Sequence, residues 1–410
     1  MFDRTPRRVV SILPLIVLIL TVAGCQSAEE MKMNRAQQVL GDAMAANPDY
    51  TEYGLRVIAG SSAPFSEGLI AEYLGAVNPR TATAAAIAAR ERGLETQTDA
   101  LETLFSSKEG TPQIEAARAL ARFGDAEALA WLQNEAAGAP NSRVIEALID
   151  TGDAETARAS IEKMLASDDQ SIRDEAYVLL AEVEEPWALE MVLAGLKKEH
   201  GEGRQQAIRA LGKLGDASHA YEIQRFINTQ GLVYATIEAL GELGDENSIA
   251  ELEKSMNRPE TLVKLYAAAA LWKLGKSEEA SAVLEPLIGD EEIAIRMDLA
   301  QQLAGIDDDK AISMLLYLAE DDPDGRVRKI ALQGLYDGQG ADVYPALVAC
   351  SSDADYQVAV VALEGLSHHG KVDVVDQLEP LLEHENPYLV ISAANAMIEI
   401  LNRGLGAPTS

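Results

Sequence analysis

The chain has 410 residues, 48% of them hydrophobic and 24% charged, and its 34 Lys and Arg face 66 Asp and Glu for a formal net charge of −32. This balance excludes a nucleic-acid binder, which needs a basic footprint. It also excludes docking on anionic lipid by charge, and it favours basic partners.

Residues 1–24 read as an export signal. Arg4, Arg7 and Arg8 form a basic start, and the apolar run 9–20, broken by Ser11 and Pro14, is too short to span a bilayer as a stable helix. The run leads to Val22-Ala23-Gly24-Cys25, which resembles a bacterial lipobox. The resemblance implies a lipid on the Cys25 sulfur and cleavage just before it. With Gln26 rather than Asp following, it implies the outer membrane, the chain facing the periplasm. Each buried methylene of such an anchor contributes about 0.8 kcal/mol. Removing a segment with three Arg and one Asp takes the charge from −32 to −34. Lipidation leaves Cys350 alone, so no disulfide forms within the mature chain; Cys350 reads as a small buried residue of a helix.

Residues 25–50 are the lipidated cysteine, a tether and a first helix over 29–46, broken by Asn47-Pro48-Asp49. Residues 51–79 read as N-terminal capping helices, one of them over 65–75, because an end repeat needs a polar outer face.

From residue 80 a unit repeats. Ala207-Ile-Arg-Ala-Leu211-Gly-Lys-Leu-Gly215-Asp216 returns as Thr236-Ile-Glu-Ala-Leu240-Gly-Glu-Leu-Gly244-Asp245. Gly215 and Gly244 stand where a helix must stop, in the left-handed conformation that glycine takes at little cost. Asp216 and Asp245 then accept the free N–H groups of a second helix. Equivalents of Leu211 fall at Ala89, Leu120, Leu148, Leu180, Leu240, Leu271, Leu303, Leu335, Leu366 and Ile398, about 31 residues apart. That is a helical-repeat period. Ala stands four residues before most of these anchors, where a neighbouring helix must cross closely.

The expected second helices are 126–137, 154–166, 186–199, 217–228, 246–257, 277–287, 309–319, 341–350 and 373–384. The last unit has only a first helix, over 388–401, before the tail 405–410. Either this helix is the cap or that end docks on something, and the polar Asn395 and Glu399 fit a cap better.

The V/I-R-x-x-A-x-x-A-L-x-x-L-G-D pattern of these units resembles HEAT repeats, above all the short bacterial kind named after phycobilisome lyases. Tetratricopeptide repeats fit worse, because their Trp, Gly-Tyr and Pro positions are missing. The resemblance implies an all-α, right-handed α-solenoid of about ten hairpins over residues 80–404. It further implies a concave groove lined by the second helices, where Trp131, Tyr221, Arg225 and Tyr317 are candidate anchors for a protein or peptide partner. For Trp131 and Tyr221 the competing reading is closure of the inter-repeat core.

Arg173, Arg204, Arg296 and Arg328 stand seven residues before their anchors, with Lys264 at the same place. An acid or His200 precedes each by four residues, and with pairing possible within and between repeats the row reads as an inter-repeat structural ladder rather than an anion site. Clustered acids at the turns (Asp168-Asp169, 290–292, 307–309, 320–324) read as helix caps.

No enzymatic motif emerges. His384-Glu385 is the one His-Glu dipeptide, where a di-iron HEAT hydroxylase carries several, and His368-His369 sits at a turn. Asp322-Pro-Asp324-Gly325 lacks the twelfth-position Glu of a calcium loop. The expectation is a membrane-anchored, non-enzymatic periplasmic scaffold with no cofactor or metal. A cofactor-carrying enzyme and a structural spacer are the alternatives.

Overall fold

The computed structural model describes residues 27–183, 185–337 and 343–404. Cys25 and the export signal lie outside the described residues. Among those described there are 24 α-helices, short 3-10 turns and no strand.

Helix α1 (Ala28–Ala45) stands apart in sequence. Hairpins of a first and a second helix follow: α2 (Pro48–Ala59) with α3 (Pro64–Leu74), α4 (Pro79–Glu91) with α5 (Thr98–Ser107), and α6 (Thr111–Arg122) with α7 (Ala126–Ala137). Next come α8 (Ser142–Asp150) with α9 (Ala154–Leu165), α10 (Gln170–Leu180) with α11 (Pro186–Lys198), and α12 (Gly201–Leu214) with α13 (Ala220–Gln224). Then come α14 (Val233–Leu243) with α15 (Ile249–Met256), α16 (Thr261–Lys273) with α17 (Ser277–Leu284), and α18 (Ile293–Leu303) with α19 (Asp309–Asp321). The series ends with α20 (Gly325–Asp337) and α21 (Tyr344–Cys350), α22 (Tyr356–His369) and α23 (Val375–Leu378), and finally α24 (Pro387–Gly404).

The turns follow from their residues. Asp125, Asp153, Asp308 and Asp355 cap second or first helices by accepting backbone N–H groups at 2.7–3.2 Å. Asp216 and Asp245 do the same at 2.9 and 3.1 Å. Much of the acid at the turns is therefore spent on helix starts. The two glycines differ from each other. Gly244 is left-handed, at φ 74°, whereas Gly215 is extended, at φ −81° and ψ −178°. Gly215 is needed for room instead: a Cβ there would lie 2.6 Å from Leu243 Cδ2 and 2.7 Å from the Leu211 carbonyl oxygen.

Second helices pack against first helices, most often the next one in the row. The row of first helices runs α2, α4, α6 and on to α24 without a break, and α24 then packs against α2 and α1. Helix α1 fills the second-helix place left empty after α24, so the twelfth hairpin is formed by the two ends of the chain. The solenoid is a closed ring rather than an open rod.

The decisive detail is α24. Residues Leu389 to Leu401 are all buried, thirteen in succession, whereas the last helix of an open stack would leave one face wet. Asn395 and Glu399 are 3% and 5% exposed, so they belong to a sealed interface and not to a solvated cap. The expected capping helices α2 and α3 are likewise a hairpin with neighbours on both sides.

The first helices form the inside of the ring. Gln302 on α18 reaches Glu238 on α14, two repeats back, at 3.5 Å, and Arg90 on α4 reaches Asp150 on α8 at 3.4 Å. Side chains span a skipped repeat only on the concave side. The second helices are spread around the outside, opposite to the groove lining expected from the sequence.

Adjacent first helices touch backbone to backbone. An added Cβ at Gly241 would lie 2.9 Å from Ala270 Cα, and one at Gly212 would lie 3.0 Å from Ala239 Cα. Gly to Ala inside a helix ordinarily gains about 0.5–1 kcal/mol. Here the clash with main chain reverses the sign. Gly241→Ala is expected to destabilise by about 1–3 kcal/mol in chemical denaturation; a stabilised variant would contradict the close crossing.

Candidate functional site

The arginine row is built into the inter-repeat turns. Arg296 donates through Nε and Nη2 to Asp322 at 2.6 and 3.1 Å, and through Nη1 to the Asp290 carbonyl at 2.6 Å. Arg328 repeats this with Asp353 at 2.7 Å twice and the Asp322 carbonyl at 2.8 Å. Arg173 meets Glu199 at 3.1 Å and the Ser167 carbonyl at 2.8 Å. The partner is the acid of the following turn, not the one four residues earlier. Arg204 is the exception: it meets His200 at 3.0 Å and lies 4.9 Å over the Phe226 ring.

The inner wall is zipped by charge pairs between neighbouring first helices. Arg118 meets Glu146 at 2.9 Å and Asp150 at 2.6 Å, Lys213 meets Glu182 at 3.1 Å, and Lys273 pairs with Glu242. Beneath them Glu115, 1% exposed, is held by Arg143 at 3.0 Å. These stretches of the inside carry both signs of charge, paired across neighbouring repeats.

The four candidate anchors are not brought together. Trp131 is half-buried edge-on to Phe105, with centroids 5.4 Å apart, and so closes the core between repeats. Tyr221 is 71% exposed and closes nothing, and Tyr317, 52% exposed, borders a shallow outer hollow with Ile288 and Met314. Arg225 is exposed with its guanidinium 4.7 Å from the Phe226 ring centre. Cys350 is buried, and burial pushes its thiol up to about 11. Among the described residues no cluster of His, Cys, Asp and Glu could hold a metal ion, and no helix is long and apolar enough to cross a membrane.

What the structure does bring together lies at the seam. A cleft of about 590 Å³ opens on the inside between α2, α22 and α24. Its floor is polar. The Glu399 carboxylate accepts from the Ser61 hydroxyl, from the Ser62 N–H and hydroxyl at 3.2 and 2.9 Å, and from the Ala63 N–H at 3.2 Å. Arg403 donates to the carbonyls of Ser367 and Gly370 at 2.5 and 3.1 Å, and Arg92 donates to that of Ser61. The Tyr53 hydroxyl meets that of Ser392 at 2.6 Å, and burial pushes the phenol up to about 12.

Beside it, a second hollow of about 310 Å³ is lined by four consecutive first helices, α20, α22, α24 and α2. Tyr53, Tyr356 and Tyr388 form part of its wall. Tyr388 lies edge-on to Tyr50 and Tyr53 at 5.6 and 4.9 Å and stacks on Tyr356 at 6.3 Å. Lys329, Gln333 and Glu364 are among its other lining residues. Sequence reading missed this group. The available signal was register: Tyr356 and Tyr388 each stand ten residues before their anchors, Leu366 and Ile398.

Comparison with known families gives one firm match. The family model of HEAT repeats covers residues 189–272 and 256–336, and that of the PBS lyase HEAT-like repeat covers 112–136. Residues 189–336 match HEAT repeats. No curated protein matches the chain. Among solved structures, the complex of CpcE and CpcF of phycocyanin lyase from Nostoc sp. is 18% identical, covering 65% of this chain and 93% of that one, with a TM-score of 0.39. Importin beta is 13% identical over 92% of this chain and 67% of its own, at 0.36. Kap95p, solved with RanGDP, is 11% identical over 92% and 60%, at 0.35. At these scores the superpositions add nothing to the fold given by the contacts, an α-solenoid of helical hairpins.

Proposed function

We propose that the protein is a non-enzymatic scaffold of the cell envelope, held in the outer membrane by lipid on Cys25 and engaging a protein partner inside its ring. The observation that carries this reading is the tyrosine wall at the seam. Tyr356 is 41% exposed, and Tyr50, Tyr53 and Tyr356 stand around Tyr388 on three adjacent first helices. Tyrosine supplies large contact area at little entropic cost and is enriched where binding energy concentrates. Helix α1 begins three residues after Cys25 and is itself a stave of the ring, so the anchor holds the ring edge near the membrane. The net charge of −32 favours a partner with a basic contact surface.

Two experiments test this. Cys25→Ser is expected to move the protein from membrane extracts to the soluble periplasm; persistence in the membrane fraction would remove the anchor. Pull-down from detergent-solubilised membranes is expected to recover a partner with the wild type and to lose it with Tyr356→Ala. Recovery unaffected by Tyr356→Ala but abolished by Tyr221→Ala or Tyr317→Ala would place the binding surface on the outer face.

A further inference from the structure

The two edges of the ring are not equivalent, because α1 gives them a direction. Every hairpin has a hinge between its first and second helix and a turn that leads to the next hairpin. The hinges form one edge of the ring and the turns the other. Lys32 pairs with Asp376, and Arg35, further along α1, pairs with Glu379 and Glu383 at 2.6 and 2.5 Å. The numbers rise together, so α1 runs parallel to the second helix beside it. Its N-terminus is therefore level with Lys371 and Val372, on the hinge edge. Helix α24 ends on the same edge, where Arg403 donates to the carbonyls of Ser367 and Gly370. The far end of α1 lies on the turn edge, where the Thr51 hydroxyl donates to the Met44 carbonyl at 2.6 Å. Tyr50 and Tyr53 stand there, against Tyr388 in the first turn of α24.

This places the two seam cavities toward opposite mouths of the ring. The cleft lined by Glu399 and Arg403 runs to the hinge edge, and the tyrosine hollow lies toward the turn edge. Tyr388 and Arg403 are fifteen residues apart on one helix, which is about 22 Å along its axis.

The tether leaves little slack. Cys25 stands two residues before Ser27, the N-cap of α1. Two residues reach at most about 7 Å, and the headgroup layer on each side of a bilayer is roughly 5–8 Å thick. With lipid on Cys25, Ser27 stays at the headgroups and holds the hinge edge there. Rocking about that corner changes the tilt of the ring but not which mouth is nearer the bilayer.

We propose that the ring stands with its hinge edge toward the membrane, so that the tyrosine hollow opens into the aqueous compartment and receives a soluble protein from that side. This rests on the lipid-anchored scaffold reading and gives it a direction. A partner embedded in the same bilayer meets the mouth at Arg403 instead, a helix length below the tyrosines.

The test uses the full-length lipidated protein in phosphatidylcholine vesicles that carry a nitroxide on part of their choline headgroups. A bimane, which the nitroxide quenches on close approach, is attached to one introduced thiol at a time. Lys371→Cys reports the hinge edge, and Glu385→Cys, three residues before Tyr388, reports the turn edge. Both positions are exposed, whereas Cys350 is buried. The bimane at Lys371→Cys is expected to lose most of its fluorescence and the one at Glu385→Cys almost none. In protein that floats with the vesicles, equal quenching, quenching of neither, or stronger quenching at Glu385→Cys would overturn the orientation and leave the anchor standing. Protein that does not float, or that floats equally well as Cys25→Ser, would remove the anchor and the orientation with it. The soluble Cys25→Ser protein is further expected to recover the partner from a detergent-free periplasmic extract and to lose it when Tyr356→Ala is added. A partner found only in the membrane fraction would overturn its assignment as a soluble protein while the scaffold reading stands. Recovery from neither fraction would end both.

Discussion

Replacing Glu399 by leucine is expected to lower stability by about 2–4 kcal/mol and to open the ring, because buried donors lose their shared acceptor. Leucine is close to glutamate in volume and at least as good a helix former, so the loss is electrostatic rather than steric. Ser61 and Ala63 are 5% and 2% exposed, so their donors have little water to turn to. The outer seam contacts act differently. Lys32 with Asp376, and Arg35 with Glu379 and Glu383, are ion pairs with at least one partner well exposed. Glu379→Ala is therefore expected to cost no more than about 1 kcal/mol. Two readouts separate the cases: the denaturation midpoint, and the radius of gyration from small-angle scattering. Glu399→Leu should lower the first and raise the second. An unaltered radius together with an unaltered midpoint would show that the seam does not depend on this carboxylate.

Arg296→Ala is the second large effect. Arg296 and Asp322 are 6% and 3% exposed and form a two-pronged pair. Deleting the guanidinium leaves Asp322 accepting from the Asp324 N–H at 2.9 Å. Stranding a buried charge in this way costs about 3–5 kcal/mol. The loss should be local: amide exchange should accelerate across α18, α19 and α20 and hardly elsewhere, since repeats communicate through neighbours. Arg326→Ala, thirty residues on, is the control. Its side chain is 63% exposed on Asp324, and the change should stay within about 0.5 kcal/mol. Intact stability in Arg296→Ala with loss of anion binding would turn the arginine row into a ligand site.

The hairpins were legible because their signals are local. Gly-Asp steps, Pro at first turns and an apolar stripe with a period near 31 residues place second helices such as α7 and α9 within a residue or so of their observed bounds. The arginine row was legible as an inter-repeat ladder, but not which acid each arginine takes, since a side chain six bonds long reaches the next turn as easily as its own. Ring closure had no local signal at all. Lys32 and Asp376 are 344 residues apart, and Asn395 and Glu399, the polar residues buried at the seam, look like surface positions until the other end of the chain covers them. One hint was present: α24 lacked a second helix and α1 lacked a first. Two unpaired helices at opposite ends satisfy each other. The same closure turned the groove inside out, because a tight ring packs its most closely touching helices, the Ala- and Gly-rich first ones, at the smaller radius.

The most direct test of the closed ring is zero-length carbodiimide cross-linking of the monomer, followed by mass spectrometry. Lys32 and Asp376 are in salt-bridge contact across the seam, while Lys213 with Glu182 and Lys273 with Glu242 are in contact within the array. A closed ring predicts an intramolecular Lys32–Asp376 link alongside the two internal ones. The internal links without the Lys32–Asp376 link in the monomer fraction would mean that the two ends do not meet.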